Sequence, residues 1–290
     1  MSWRTIVISK CSKLDLQLNR MVVRQVDQEV KISLKEIALL IIESTAVSIT
    51  AALLVELNKQ KIKVVFCDET HSPYFETIPY HGSHDSSSKI KRQIKWKAIT
   101  QSLLWKEIVK NKIQQQAQFL EELNQAQAAV LYQYATEVQP NDKTNREAHA
   151  AKTYFEGVFG IDFTRSSDHP LNAALNYGYG IILAIFNREI VSTGYLTQLG
   201  IFHKSQFNPY NLSSDLMEPF RILVDRKIYA MAPKSFGIDE KREIMTLLED
   251  RVCINNRKNY LAHAIKIYCH SIFDVLDQDD VSLVRFYRNE

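Results

Sequence analysis

Three side chains of metal-ligand type stand on three well-separated segments of this chain. They are Glu147 in Asn145-Arg146-Glu147-Ala148-His149-Ala150-Ala151-Lys152-Thr153-Tyr154-Phe155, His203 in Gly200-Ile201-Phe202-His203, and Glu218 in Asp215-Leu216-Met217-Glu218-Pro219-Phe220-Arg221. Each sits in or beside an apolar helical pattern, where an unpaired charge is costly. One divalent cation would satisfy all three. Two carboxylates and an imidazole form a mixed oxygen and nitrogen set that suits Mg²⁺ or Mn²⁺, the imidazole favouring Mn²⁺. Structural zinc wants more Cys or His. Such a set leaves coordination positions open for water or phosphate oxygens.

Each residue also has a plainer reading. Thr144-Asn145-Arg146-Glu147 matches a capping box, in which the glutamate satisfies a backbone N–H at the helix start. Glu147, Ala150, Ala151, Tyr154 and Val158 share one helix face, so the glutamate continues an apolar stripe. His203 reads alone as a histidine capping a helix C-terminus. Asp215 and Glu218 read as first-turn acids of a helix capped by Ser213 or Ser214. Pro219 disturbs that last reading, because it cannot donate to the carbonyl of Asp215 and should kink the helix beside the paired acids. Only the conjunction of the three residues points to a metal.

The elements that must position them divide the chain. The sequence predicts an α+β protein, with a small N-terminal β-sandwich or β-roll domain over 1–80, a linker at 81–88, and a larger all-α catalytic domain over 89–290. Strands are expected at 4–9, 14–18, 21–26, 29–33, 38–42, 62–67 and 74–78, with one helix near 50–60. The run His81-Gly82-Ser83-His84-Asp85-Ser86-Ser87-Ser88 is turn-forming. Helices are expected at 88–118 and 119–134, both too polar for deep burial throughout. A break follows at Pro140, then helices at 145–159, 172–199, 214–231, 239–251 and 260–276. The tail from Asp277 has no strong pattern.

Composition narrows the class. Apolar content of 46% and charged content of 24% suit a soluble folded protein, and scarce Gly and Pro exclude collagen-like or low-complexity chains. Cys11, Cys67, Cys253 and Cys269 have no zinc or redox spacing, and with no signal peptide they read as reduced thiols of a cytoplasmic protein. The most apolar stretch, Leu171 to Phe186, is too short to span a bilayer and ends at Arg188-Glu189, so no membrane is expected. The net charge of +3 says little about partners, but its distribution is uneven. Lys89, Lys91, Arg92, Lys95, Lys97, Lys106, Lys110 and Lys112 face a single acid, Glu107, over 89–112. That stretch is expected to meet DNA phosphates, with Trp96 and Trp105 turned to the core. Arg165 and Arg221 are further phosphate candidates. His84 and Tyr80 are expected to shape the inter-domain turn, a contact with a strand end being the alternative. No Gly-x-x-x-x-Gly-Lys-Ser/Thr loop for a nucleotide triphosphate is present.

The words around the three residues resemble the signature of the CRISPR-associated integrase family, the "Cas-one" proteins. The Glu147 segment is similar to the family's Glu-Gly-x-x-Ala-Arg-x-Tyr helix, with Ala148 for the glycine and Lys152 for the arginine. Asp168 through Tyr179 resembles its apolar central helix, and His203 and Asp215–Arg221 match its later site motifs in order and spacing. The Asn-Arg-Glu, His-Asp-Ser-Ser and Asp-Leu-Met-Glu-Pro-Phe-Arg wording is nearest to the branch that accompanies single-effector, guide-RNA nucleases (type II). The resemblance implies an integrase that inserts spacer DNA beside a repeat, the spacer's 3′-hydroxyl attacking a repeat phosphodiester. It implies Glu147, His203 and Glu218 as metal ligands and Asp215 as the group that orients a ligand or a bound water. It also implies a Mg²⁺ or Mn²⁺ cofactor and Lys152 as a phosphate contact lacking arginine's bidentate fork. Implied partners are double-stranded DNA, a second copy of the chain in a homodimer, a small "Cas-two" subunit bridging two dimers, and other type II adaptation proteins. Two readings compete: a stand-alone metal-dependent nuclease on branched DNA, and a non-catalytic DNA-binding scaffold whose acids are only helix caps.

Overall fold

A computed structural model describes residues 4–69, 71, 73–79 and 83–288. Tyr80, and His81 and Gly82 of the expected linker, lie outside the described residues; His84 is exposed. The chain divides into two compact units, the first running through Ser86 and including Val191–Tyr195, the second comprising Ser87–Ile190 and Leu196 onward.

Among its described residues the first unit holds eight strands, one α-helix and a short 3-10 turn at Leu34–Glu36. Strands β1 (Arg4–Ile8), β5 (Ile37–Ile42), β7 (Lys63–Cys67) and β8 (Pro73–Glu76) form one sheet in the order β1-β5-β7-β8. Strands β2 (Ser12–Gln17), β3 (Arg20–Arg24), β4 (Glu29–Ser33) and β6 (Val47–Ile49) form another, ordered β4-β3-β2-β6. Ile-Ala-Leu-Leu-Ile-Ile of β5 is buried throughout, as a continuous apolar run in a central strand must be, and it pairs in parallel with both β1 and β7. Leu18 and Asn19, both with positive φ, close β2 onto β3 as a tight hairpin. Helix α1 (Ala51–Lys59) is capped by Thr50, whose hydroxyl accepts from Leu53 N, and it buries Leu53 and Leu57. Leu14, Met21, Leu40, Val64 and those two leucines share a single core. The expected sandwich or roll thus takes the coarser form of two mixed sheets and a helix around one core. Strand β6, three residues long, was not foreseen.

The second unit is mainly helical but not all-α. After α2 (Ser86–Gln93), which starts inside the expected linker, come α3 (Ala98–Glu122), α4 (Gln127–Glu137), α5 (Arg146–Phe159), α6 (Pro170–Thr193), α7 (Asn211–Met217), α8 (Arg221–Met231) and α9 (Ile238–Met245). A hairpin, β9 (Arg251–Ile254) and β10 (Arg257–Tyr260), precedes α10 (Leu261–Gln278). Helix α3 is the spine, touching α4, α5, α8 and α10. It is far more buried than its polarity predicts: Trp105, Ile108, Val109 and Ile113 are joined inside by Lys112, Gln115 and Gln116. Lys112 enters the core because it finds the Glu147 and Glu218 carboxylates there. Helix α6 packs closely on α8 at Gly178, where an added Cβ would lie 2.4 Å from Val224 Cγ1. The tail is ordered too: Arg288 pairs with Cys253, and Tyr287 is buried, its hydroxyl donating to the Pro219 carbonyl at 2.9 Å.

Candidate active site

The approach of Glu147 depends on the turn before α5. Asn141, Asp142 and Asn145 adopt positive φ there, which Asn and Asp tolerate better than other side chains. Asp142 folds back under the helix, its two carboxylate oxygens accepting from Arg146 N and Glu147 N, both at 2.9 Å. The expected capping box is therefore replaced by an aspartate cap, and the Glu147 carboxylate is left to reach α3. There Lys112 Nζ donates to Glu147 Oε1 at 2.7 Å and to Glu218 Oε2 at 2.5 Å.

Glu218 comes from a break between helices. α7 begins at Asn211 with Tyr210 at its cap position, so neither Ser213 nor Ser214 caps it. Pro219 removes a helical N–H, and Glu218–Phe220 tightens into a 3-10 turn between α7 and α8. Glu218 thus lies buried in the turn between two helices, where its charge is costly without partners. Lys112 and Arg221 compensate: Arg221 Nε donates to Glu218 Oε1 at 2.9 Å. Burial opposes ionisation of Glu218, but Arg221 and Lys112 prevail and hold its pKa well below the ordinary value. Burial likewise opposes the charge on Lys112, and Glu218 with Glu147 pull it upward on balance.

His203 is not a helix cap, because α6 ends at Thr193. It lies in a loop gathered around the fully buried Asp215. Asp215 Oδ2 accepts from Ile201 N (2.6 Å) and Phe202 N (2.9 Å), and Oδ1 from His203 N (3.1 Å). His203 Nδ1 meets Asp215 Oδ1 at 2.5 Å, leaving Nε2 without a hydrogen bond among the described residues. The Asp215 hydrogen bond raises the His203 pKa against partial burial, and the Glu218 and Glu147 carboxylates add to the rise. Phe202 stacks on Trp105 at 4.5 Å, and His203 meets Trp105 edge-on at 5.7 Å. The loop leaves no room at Gly200, where a Cβ would lie 2.3 Å from His203 O and 2.8 Å from Asp215 Oδ2. A cleft of ≈ 840 Å³ opens beside His203, lined by Gly200, Lys204, Asn208, Gln93 and Gln101 among others.

Glu147 and Glu218 are thus joined through one ammonium, and both act on the imidazole of His203. Among the described residues, no three of His, Cys, Asp and Glu stand as a ready metal cage. The donor set nevertheless fits a hard divalent ion: a cation already bridges the two carboxylates, and a free imidazole nitrogen remains.

The DNA-contact candidates spread out. Lys152 is exposed on α5, Lys95 is exposed after α2, and Lys89 lies partly exposed on α2. Arg92 is paired with Asp277 (2.7 Å) and Lys97 with Asp279 (2.7 Å), so distant acids neutralise cations that look unopposed in sequence. Trp96 and Trp105 are buried, as expected. Arg165 donates to Asn172 and Asn176 at 2.6 and 2.7 Å. The guanidinium groups of Arg165 and Arg221 lie over the Tyr179 ring at 5.4 and 4.7 Å. Arg221 is a partner of Glu218 and is mostly withdrawn from solvent, unlike an open phosphate contact. Lys112, counted in the basic stretch, is 9% exposed and inside the site. No sequence pattern separates it from its neighbours.

Also missed was a buried network behind Arg221. Tyr179 and Tyr154 hydroxyls donate to Asp225 Oδ1 (2.5 Å) and Oδ2 (3.0 Å). Burial pushes Asp225 up to about 6 against the pull of the two hydroxyls and of Arg221. A carboxyl raised on folding binds more protons in the native than in the unfolded state between its two pKa values. Its contribution therefore falls as pH rises through that window and levels off above it. Asp225→Asn should accordingly gain stability relative to the parent between pH 4 and about 7, by up to roughly 3 kcal/mol at 1.4 kcal/mol per unit. Chemical denaturation across that range measures it, and a pH-independent difference would refute it.

The family model described as CRISPR associated protein Cas1 matches residues 5–240. The chain belongs to the Cas1 family. It is 38% identical over 226 residues to a CRISPR-associated endonuclease Cas1 of Neisseria meningitidis serogroup C (strain 8013), covering 78% of this chain and 74% of that one. Two solved structures share the fold at 17% identity. A casposase bound to integration product matches with a TM-score of 0.78, covering 96% of this chain and 91% of the casposase. A chain of a Cas6-RT-Cas1–Cas2 complex matches with a TM-score of 0.76 over 97% of this Cas1 chain, which spans only 36% of that longer one. No helix among the described residues is long and apolar enough to cross a membrane.

Proposed function

We propose that this Cas1 protein is a metal-dependent DNA integrase of CRISPR adaptation, acting with Mg²⁺ or Mn²⁺ held by Glu147, His203 and Glu218. The observation that carries the reading is the cation-bridged pair of carboxylates beside an imidazole whose second nitrogen is free. Family membership and the fold shared with a casposase bound to integration product support it.

The reaction is an exchange of phosphodiesters. The 3′-oxygen of the incoming strand attacks a repeat phosphorus, and the repeat's own 3′-oxygen departs and takes up a proton. The bond count is unchanged, so no nucleotide triphosphate is consumed. A bound divalent ion supplies charge stabilisation at the phosphorus and its oxygens. The protein does the rest by placement. Asp215 fixes the rotation and tautomer of His203 through Nδ1 and so leaves Nε2 available as a ligand. Asp142 fixes the start of α5 and hence Glu147. Arg221, braced over Tyr179, fixes Glu218. The cleft beside His203 gives a strand end access, and Lys152, Lys89 and Lys95 supply phosphate contacts on the surface.

The reading extends to a homodimer working in the cytoplasm with a small Cas2 subunit, by analogy with the Cas6-RT-Cas1–Cas2 assembly. It places the chain in the type II branch on the strength of the Asn145–Glu147 and Asp215–Arg221 wording and the meningococcal identity. One observation favours a second activity at the same site: that relative is described as an endonuclease, and water in place of the 3′-hydroxyl would cleave DNA. The test uses spacer-like DNA with free or blocked 3′ ends. Integration requires that joining vanish with blocked ends; joining that persists would exclude 3′-hydroxyl attack, and cleavage without joining would leave only the nuclease.

A further inference from the structure

We propose that Lys112 is the resident counter-cation of the metal site, that it must withdraw for the ion to enter, and that the DNA backbone receives it. The inference rests on the metal reading above and goes beyond it.

Three observations lead here. Lys112 Nζ lies within 2.7 Å of one Glu147 oxygen and 2.5 Å of one Glu218 oxygen, and a divalent ion would need the space between those carboxylates. Two cations cannot share that space, because like charges at such separations repel strongly in a partly dry site. Lys112 is on the spine helix α3, 9% exposed, so its ammonium cannot simply relax into bulk water. Its stem is flexible and its charge compact, which suits a point contact to phosphate. Arg221 cannot substitute for it, because its guanidinium is already committed to Glu218 and to the Tyr179 face.

The arrangement has two consequences. Without an ion, Lys112 keeps two carboxylates together and stops them from repelling each other apart. With an ion, the freed ammonium needs an anion nearby, and the phosphate that meets the metal is one. Metal and DNA should therefore bind cooperatively, each relieving a cost of the other's entry. Lys112 is a positioning residue in this account.

The experiment measures Mn²⁺ binding to the full chain by electron paramagnetic resonance, with and without a 3′-ended duplex. Lys112→Met keeps the stem and removes the charge. It leaves Glu218 paired with Arg221 and Glu147 partly solvated, so the fold should survive, and thermal melting checks that. Lys112→Met should bind Mn²⁺ at least about tenfold more tightly than the parent without DNA, and DNA should improve its affinity much less than it improves the parent's. Lys112→Arg, which keeps a cation there, should stay close to the parent. Should Lys112→Met bind one ion no more tightly, with binding still lost in His203→Ala, the displacement idea is wrong and the metal site stands. Should parent and variants all fail to bind Mn²⁺ with DNA present, both ideas fall.

Discussion

Glu147→Gln should fold, bind DNA within about threefold of the parent, and lose strand transfer by at least roughly a thousandfold, the equivalent of about 4 kcal/mol in the barrier. The substitution is the cleanest available at the site. Glu147 is partly solvated, and Lys112 retains Glu218 when the Glu147 charge is removed. DNA affinity should hold because it comes chiefly from surface Lys and Arg. His203→Ala should behave alike. Glu218→Gln is a poorer test, since it leaves the buried Lys112 and the half-buried Arg221 without their shared carboxylate, and breaking a buried pair such as Lys112–Glu218 costs about 3–5 kcal/mol. Strand-transfer assays beside filter binding decide the matter. If Glu147→Gln and His203→Ala keep normal joining, these side chains hold no catalytic ion and the metal reading falls.

The second large effect belongs to Asp215. Its carboxylate accepts three backbone N–H groups and the His203 ring, at 0% exposure. Asp215→Ala leaves those donors without an acceptor, at about 1–3 kcal/mol for each one that stays buried. A loss of roughly 3 kcal/mol or more of stability should accompany loss of activity. Asp215→Asn should rescue neither fully, because its amide turns one acceptor into a donor facing other donors. Urea denaturation of both variants measures this. A variant as stable as the parent would mean that the His203 loop is held by something other than this carboxylate.

Much of this architecture was readable in the sequence for local reasons. Short Val- and Ile-rich runs between polar turns mark the first unit, and β5 declares itself by unbroken apolar character. The hairpin of β9 and β10 was missed because its strands are short and β10 is polar, although Asn255-Asn256, both at positive φ, carry a hairpin turn signal. The single helix expected at 88–118 is broken between Gln93 and Ala98 without Pro or Gly. There Trp96 Nε1 donates to Asp277 at 2.9 Å, a contact across the unit that no local pattern encodes. The site divides in the same way. Glu147, His203, Asp215 and Glu218 stood out because acids and imidazoles interrupt apolar helical patterns. Lys112 stood among seven other cations at 89–112, and only tertiary packing turns it inward. Asp142 and Asp225 were overlooked because their roles, a cap five residues upstream of Glu147 and a buried acceptor for two tyrosines, exist only in the folded chain.

On the proposed function, Glu147, His203 and Glu218, from separate elements, should close on a single catalytic ion. The decisive experiment is a crystal of the protein with 3′-ended DNA and Mn²⁺, read by anomalous scattering. One peak is expected within roughly 2–2.5 Å of Glu147, Glu218 and His203 Nε2, with the Lys112 ammonium moved away from both carboxylates. A DNA-bound crystal without that peak, with Lys112 still bridging the glutamates, would contradict that function.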